Sequence, residues 1–307
     1  MVILSAYIRL AEVGIGCEQW PDCYAVLHPD TEQKGITVLT DQGRDMAHRG
    51  ARLAHRYIAS TLGLFILVLF FQTLLRNESR GTGLGVPIAI LLITIFLSLL
   101  GYYTPSRDIP LITMGNLLGG MALLGLLWWL MQRNAEIVEV REMTQLRGLA
   151  LLALGLVIVQ ITLGGWSSSN YASVACPDLL GCDSPWLGAA QYGDAYALTR
   201  EVKLEASGRV IREASLGALS MSHRAFALLT AAYLAWLVRK LKPRLELKNT
   251  ALAMSLFSIS LIIAGVSMVW FAMPLFLVSL HNGLAAGLLI CSVQLLHRLT
   301  PQPTAPQ

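Results

Sequence analysis

Two histidines stand in stretches of sequence apolar enough for lipid: His223 in SHRAFALL and His281 in SLHNGLAAG. An ionisable ring inside a membrane is costly and marks a working site more often than simple packing. Two imidazoles on facing helices at one depth can grip a metal from both sides, the arrangement that holds a haem iron. The first half of the chain carries a related set. His55 precedes Arg56 in AHRYIASTLG as His223 precedes Arg224, and Asn116 in MGNLLGG takes the place that His281 holds later. Small neighbours (Gly115, Gly119 and Gly120, then Gly283 and Ala285) would let a flat macrocycle approach the backbone. The competing reading, a hydrogen-bonded packing histidine, is weakest for His223 and His281 because they match in depth and in context. Arg56 and Arg224 either pair with haem propionates or anchor a helix end among lipid head groups, and the sequence leaves both open. His48 lies two turns before His55 on the same helical face; Asp45 and Arg49 flank it and give it an interfacial character.

Two C-x5-C phrases, CEQWPDC (Cys17, Cys23) and CPDLLGC (Cys176, Cys182), each follow an apolar segment and precede a His-Arg pair. Close cysteine pairs in an oxidising compartment form disulfides. Each pair would close a small loop at the entry to a helix; the alternative is a redox pair serving a buried site. Cys291 reads as a small packing residue. Setting Cys17 on Cys176 also sets Cys23 on Cys182 and Tyr7 on Trp166, so the chain reads as a tandem repeat.

These residues need elements to hold them. Of 307 residues 55% are hydrophobic and 14% charged, against about 25% charged in an average soluble domain, and the mean hydropathy is +0.58. The chain therefore reads as an all-α integral membrane protein. Seven apolar segments of spanning length run over about 52–75, 84–103, 111–132, 149–167, 215–238, 249–272 and 274–297. An eighth, residues 1–14, reaches only about 21 Å at 1.5 Å per residue and reads as a truncated first helix. The expected architecture is eight transmembrane helices in two tandem four-helix bundles, 1–140 and 141–307, running parallel because each crosses an even number of times. Basic loops (Arg76 and Arg80; Arg133, Arg141 and Arg147; Arg239, Lys240, Lys242, Arg244 and Lys248) alternate with the cysteine loops. The positive-inside rule then puts both termini in the cytoplasm and the cysteine loops outside, in a bacterial inner membrane with a periplasm. The polar loop 183–214 is expected to lie over the outer mouth of the second bundle, as a short helix or a hairpin. No phosphate-binding glycine loop is present, five cysteines are too few for a disulfide scaffold, and nothing points to nucleic acid.

Taken together, the tandem units, the outer cysteine pairs and the alternating His-Arg and His motifs resemble the haem A synthase family. GGWSSSNYASVACPDLLGC, HRYIASTLG, NLLGGMALLGLLWWL and PLFLVSLHNGLAAGLLI carry the resemblance, which covers nearly the whole chain. It implies an oxidoreductase that converts the C8 methyl of haem O to the formyl of haem A for cytochrome oxidase assembly. It implies haem b between His223 and His281, and a substrate site for haem O in the N-terminal half with His55 as iron ligand and catalytic residue. Haem O synthase, an electron donor, membrane lipid and a second copy of the chain are the partners it suggests. The chain departs from the family pattern in one half only. Asn116 replaces the second N-terminal histidine, and Arg52 stands where a glutamate is expected three residues before His55; in an alternative register Asp45 precedes His48. An amide is a poor iron ligand beside imidazole, and arginine cannot act as a base. Three functions follow: a working haem A synthase with a rebuilt substrate site, a divergent membrane b-type cytochrome in haem handling, electron transfer or oxidase assembly, or a non-haem transporter-like protein on the same repeat. Regaining activity on restoring His at Asn116 and Glu at Arg52 would favour the second, and absence of a Soret band the third.

Overall fold

The computed structural model describes residues 1–12, 42–75, 83–103, 109–134, 144–182, 188–205 and 210–300. The first cysteine pair, Cys17 and Cys23, lies outside these residues, as do Arg76, Arg80 and Arg141. The elements are α1 (Val2–Glu12), α2 (Gln42–Leu75), α3 (Gly85–Tyr103), α4 (Pro110–Asn134), α5 (Thr144–Ser169), α6 (Ala189–Ala195), α7 (Ala214–Leu241), α8 (Lys248–Trp270) and α9 (Leu275–Arg298). Among the described residues seven segments are long and apolar enough to cross a membrane: Arg49–Leu75, Gly85–Tyr102, Pro110–Arg133, Gln145–Ser169, Ala214–Leu241, Leu245–Trp270 and Leu275–Arg298. All seven match the spans expected from hydropathy. In lipid a helix is the natural solution, because every backbone N–H and C=O is satisfied within the segment. Serine and threonine hydroxyls follow the same rule: Thr61, Thr94 and Ser98 each donate to the carbonyl one turn back.

Two boundaries differ from expectation. Helix α2 begins at Gln42, ten residues before the apolar run. The added segment contains arginine, methionine and alanine, good helix formers that hydropathy does not register. Among its described residues the loop 183–214 contains the suggested short helix, the seven-residue α6, and an isolated antiparallel bridge between Leu204 and Val210.

Helix α7 packs on α5, α6 and α8, while α9 packs on α8, α5, α4 and α1. Helix α4 packs on α3, α5 and α9, and α2 on α1 and α3. The largest core joins Ala150, Ala153 and Val157 of α5, Leu234, Leu237 and Leu241 of α7, Met254 of α8 and Leu289, Val293 and Leu295 of α9. Alanines on α5 bring its backbone close to α7, which is how membrane helices associate without a hydrophobic driving force. Tyr233 of α7 donates to the Leu149 carbonyl of α5 at 2.9 Å. A second core closes the end that bears the disulfide. It contains Trp166, Tyr171, Ala175, Cys176, Ala195, Val210, Leu216 and Leu219, and Trp166 Nε1 donates to the Ala195 carbonyl at 2.8 Å, fastening α6 to α5. The basic ends of α7 and α9 (Arg239, Lys240, Arg298) lie at the opposite end of these helices.

Candidate functional site

Helices α7 and α9 both start at the disulfide end, and each brings its histidine in early. His223 is the tenth residue of α7 and His281 the seventh of α9. Their ring centroids are 6.5 Å apart, with planes at 73°. Bonds of about 2 Å from a metal to an imidazole nitrogen, plus about 1.1 Å from nitrogen to ring centre, put two trans imidazoles about 6.2 Å apart. The observed spacing is compatible with two rings ligating one metal, and it also falls within the range of about 4.5–7 Å of an edge-to-face ring pair. His281 Nδ1 is buried and has no hydrogen-bond partner among the described residues, so the site holds a polar atom that those residues do not satisfy. Among the described residues no three His, Cys, Asp or Glu side chains cluster. Two imidazoles are too few for a bare ion but suffice where a macrocycle supplies the equatorial nitrogens, so the donor set fits haem.

Gly164 makes room for the His223 ring, and Gly265 lies behind the His281 ring at ordinary contact distance. A Cβ on Gly164 of α5 would lie 2.7 Å from His223 Cε1, and one on Gly265 of α8 would lie 3.6 Å from His281 Cε1. Gln160, one turn before Gly164, places its amide nitrogen 3.0 Å from His223 Nδ1 and donates to the His223 carbonyl at 3.2 Å. Sequence reading passed over Gln160, Gly164 and Gly265. The available signal was a glutamine in an otherwise apolar span with a glycine four residues on, one face of one helix.

Cys176 and Cys182 form a disulfide. Arg224 holds this loop: its guanidinium donates to the carbonyls of Cys176 at 3.0 Å and Leu179 at 2.8 Å, and to that of Asp178. The residue after His223 thus ties the disulfide loop to α7. Beneath α6, Arg200 donates to Ser215 Oγ at 2.8 Å and pairs with Glu213 at 2.9 Å, and Lys203 reaches Glu213 at 2.6 Å. Burial pushes the Glu213 carboxyl up. The Lys203 hydrogen bond, the Lys203 and Arg200 charges and the Ser215 hydroxyl outweigh this and hold it below its usual value.

The N-terminal residues are not assembled in the same way. His55 is partly buried on α2 and Arg56 is exposed. Because α2 starts early, His55 is its fourteenth residue, deeper along the helix than expected, though only the seventh of the apolar span Arg49–Leu75. Asn116 is exposed and is the seventh residue of α4, the position that His281 has in α9. No hydrogen bond joins His55 to Asn116 among the described residues. Arg52 is partly buried on α2, and the His48 side chain lies outside the described residues.

Comparison with known proteins gives two findings. Residues 1–293 match the profile of the COX15-CtaA family, described as cytochrome oxidase assembly protein. The chain is 32% identical over 301 residues to a protein of Shewanella oneidensis named heme A synthase, covering 95% of this chain and 90% of the relative.

Proposed function

The chain belongs to the COX15-CtaA family of cytochrome oxidase assembly proteins, and from that membership we propose that it is a haem A synthase-type oxidoreductase, oxidising the C8 methyl of haem O to the formyl of haem A. The observation that carries this reading is the His223–His281 pair at 6.5 Å, which suits a resident haem b in the C-terminal half, residues 141–307. That haem supplies one-electron transfer when bound. The chain's own residues do the rest. His223 and His281 would hold the iron, Gly164 admits the His223 ring, and Arg224 with the disulfide closes the outer end.

The N-terminal half, 1–140, is the substrate side in this reading, with His55 as the iron ligand for haem O and Asn116 facing the slot where a second histidine is expected. The position of Asn116 in α4, the seventh residue as His281 is in α9, supports this assignment. Helix α1 (Val2–Glu12) counts as the eighth helix of two tandem bundles, set in a bacterial inner membrane with the disulfide end periplasmic. The basic ends of α7 and α9 support that orientation. Haem O synthase supplies the substrate, and a membrane electron carrier serves the C-terminal haem.

Co-expression with a haem O synthase in a host lacking its own enzyme tests the reading. Extractable haem A, lost in His55→Ala, is the expected result. A well-expressed, haem-loaded protein that yields none would leave a b-type cytochrome without synthase activity.

A further inference from the structure

We propose that Gln160 and Gly164, one turn apart on α5, are a positioning pair that sets the plane and basicity of the His223 imidazole and thereby tunes the haem bound there. This inference rests on the haem reading above. The two histidines are not held alike. Gly164 backs His223 so closely that a Cβ would fall 2.7 Å from Cε1 and 3.2 Å from Nδ1, whereas the gap at Gly265 behind His281 is an ordinary 3.6 Å contact. Gln160 reaches His223 Nδ1 at 3.0 Å, while His281 Nδ1 has no partner. Among the described residues one ring is therefore closely backed and polar-contacted by α5, and the other has neither contact.

The partner of a ligating histidine fixes its tautomer and adjusts its donor strength. If His223 binds iron through Nε2, its Nδ1 carries the proton and needs an acceptor. A half-turn of the Gln160 carboxamide exchanges its nitrogen and oxygen; it gives up the bond from Nε2 to the His223 carbonyl and brings Oε1, which is buried and accepts no hydrogen bond among the described residues, to Nδ1. The oxygen end is thus available to receive the Nδ1 proton. Packing alone does not account for a glutamine at this depth in an apolar helix, where an unmet amide is expensive.

The test uses the full-length, haem-loaded protein and the variants Gln160→Leu, Gln160→Glu and Gly164→Ala. Leucine removes the acceptor, so the midpoint potential of the His223–His281 haem rises; glutamate is the stronger acceptor, so the potential falls below that of the unmodified protein. Gly164→Ala turns the ring. The ferric EPR signal, which reads the relative orientation of the two imidazoles, then shifts from that of the unmodified protein. Unchanged potentials, or shifts of one sign in both Gln160 variants, would overturn the proposal, as would an unaltered EPR signal in Gly164→Ala. Should Gln160→Leu fail to retain haem, the sign of the Gln160→Glu shift decides alone. Unmodified protein with no haem on His223 and His281 would sink the parent reading and this one with it, an outcome visible before any variant is made.

Discussion

At the residue scale, the site is built from side chains whose roles depend on one neighbour each. Arg224 is the clearest case. The sequence left it between a propionate partner and a lipid anchor, but its guanidinium is engaged by three backbone carbonyls of the disulfide loop. Hydrogen bonds from a charged donor contribute about 1.5–3 kcal/mol each when the partners are desolvated. Arg224→Ala is expected to lower stability by about 2 kcal/mol and to raise hydrogen exchange across residues 176–182. Arg224→Lys should recover little, because an ammonium cannot span three carbonyls as the planar fork does; full recovery of protection in the lysine variant would contradict this role. His223 and His281 were legible in the sequence because a titratable ring in an apolar run is rare. Gln160 was not, since a single amide has no period and only its distance to His223 Nδ1 reveals its use.

Helices and loops carry the next level of constraint. Hydropathy located all seven long spans but misplaced the start of α2, because helix propensity continues through Gln42–Arg52 after the apolar pattern has stopped. The 183–214 loop was ambiguous between helix and hairpin for the opposite reason: it is too short and polar for either period to dominate. Its anchor is the Arg200–Glu213–Lys203 cluster at the mouth of α7. Glu213 sits just before the first turn of α7, where the helix dipole also favours a negative charge. With its folded-state pKa lowered, its contribution is present above the unfolded carboxyl range and is lost as pH falls through the lowered value. Glu213→Gln should cost on the order of 1 kcal/mol near neutrality, with the melting curves of variant and parent converging in acid. Curves that stay parallel down to acid pH would show that Glu213 is not the titrating anchor.

Across the whole molecule, one hydrogen bond joins positions that the proposed repeat would make equivalent. Arg9 of α1 donates to Ser168 of α5 at 3.0 Å across a separation of 159 positions, the offset that also superposes Cys17 on Cys176. The bond is made by the long Arg9 side chain, while the α1 backbone packs on α9, α2 and α4. The asymmetry is equally plain: one half presents two facing imidazoles, the other a partly buried histidine and an exposed asparagine. The sequence showed that divergence through Asn116 and Arg52, but the spacing of the C-terminal rings needed coordinates. Asn116→His should add a second low-spin haem signal when haem O is supplied, and no new signal would place the substrate elsewhere. The most direct measurement is a haem count with optical spectra on the purified protein, His223→Ala and His281→Ala. The account predicts a low-spin b-type haem in the parent that is lost in both variants; a spectrum unchanged by either substitution would contradict it.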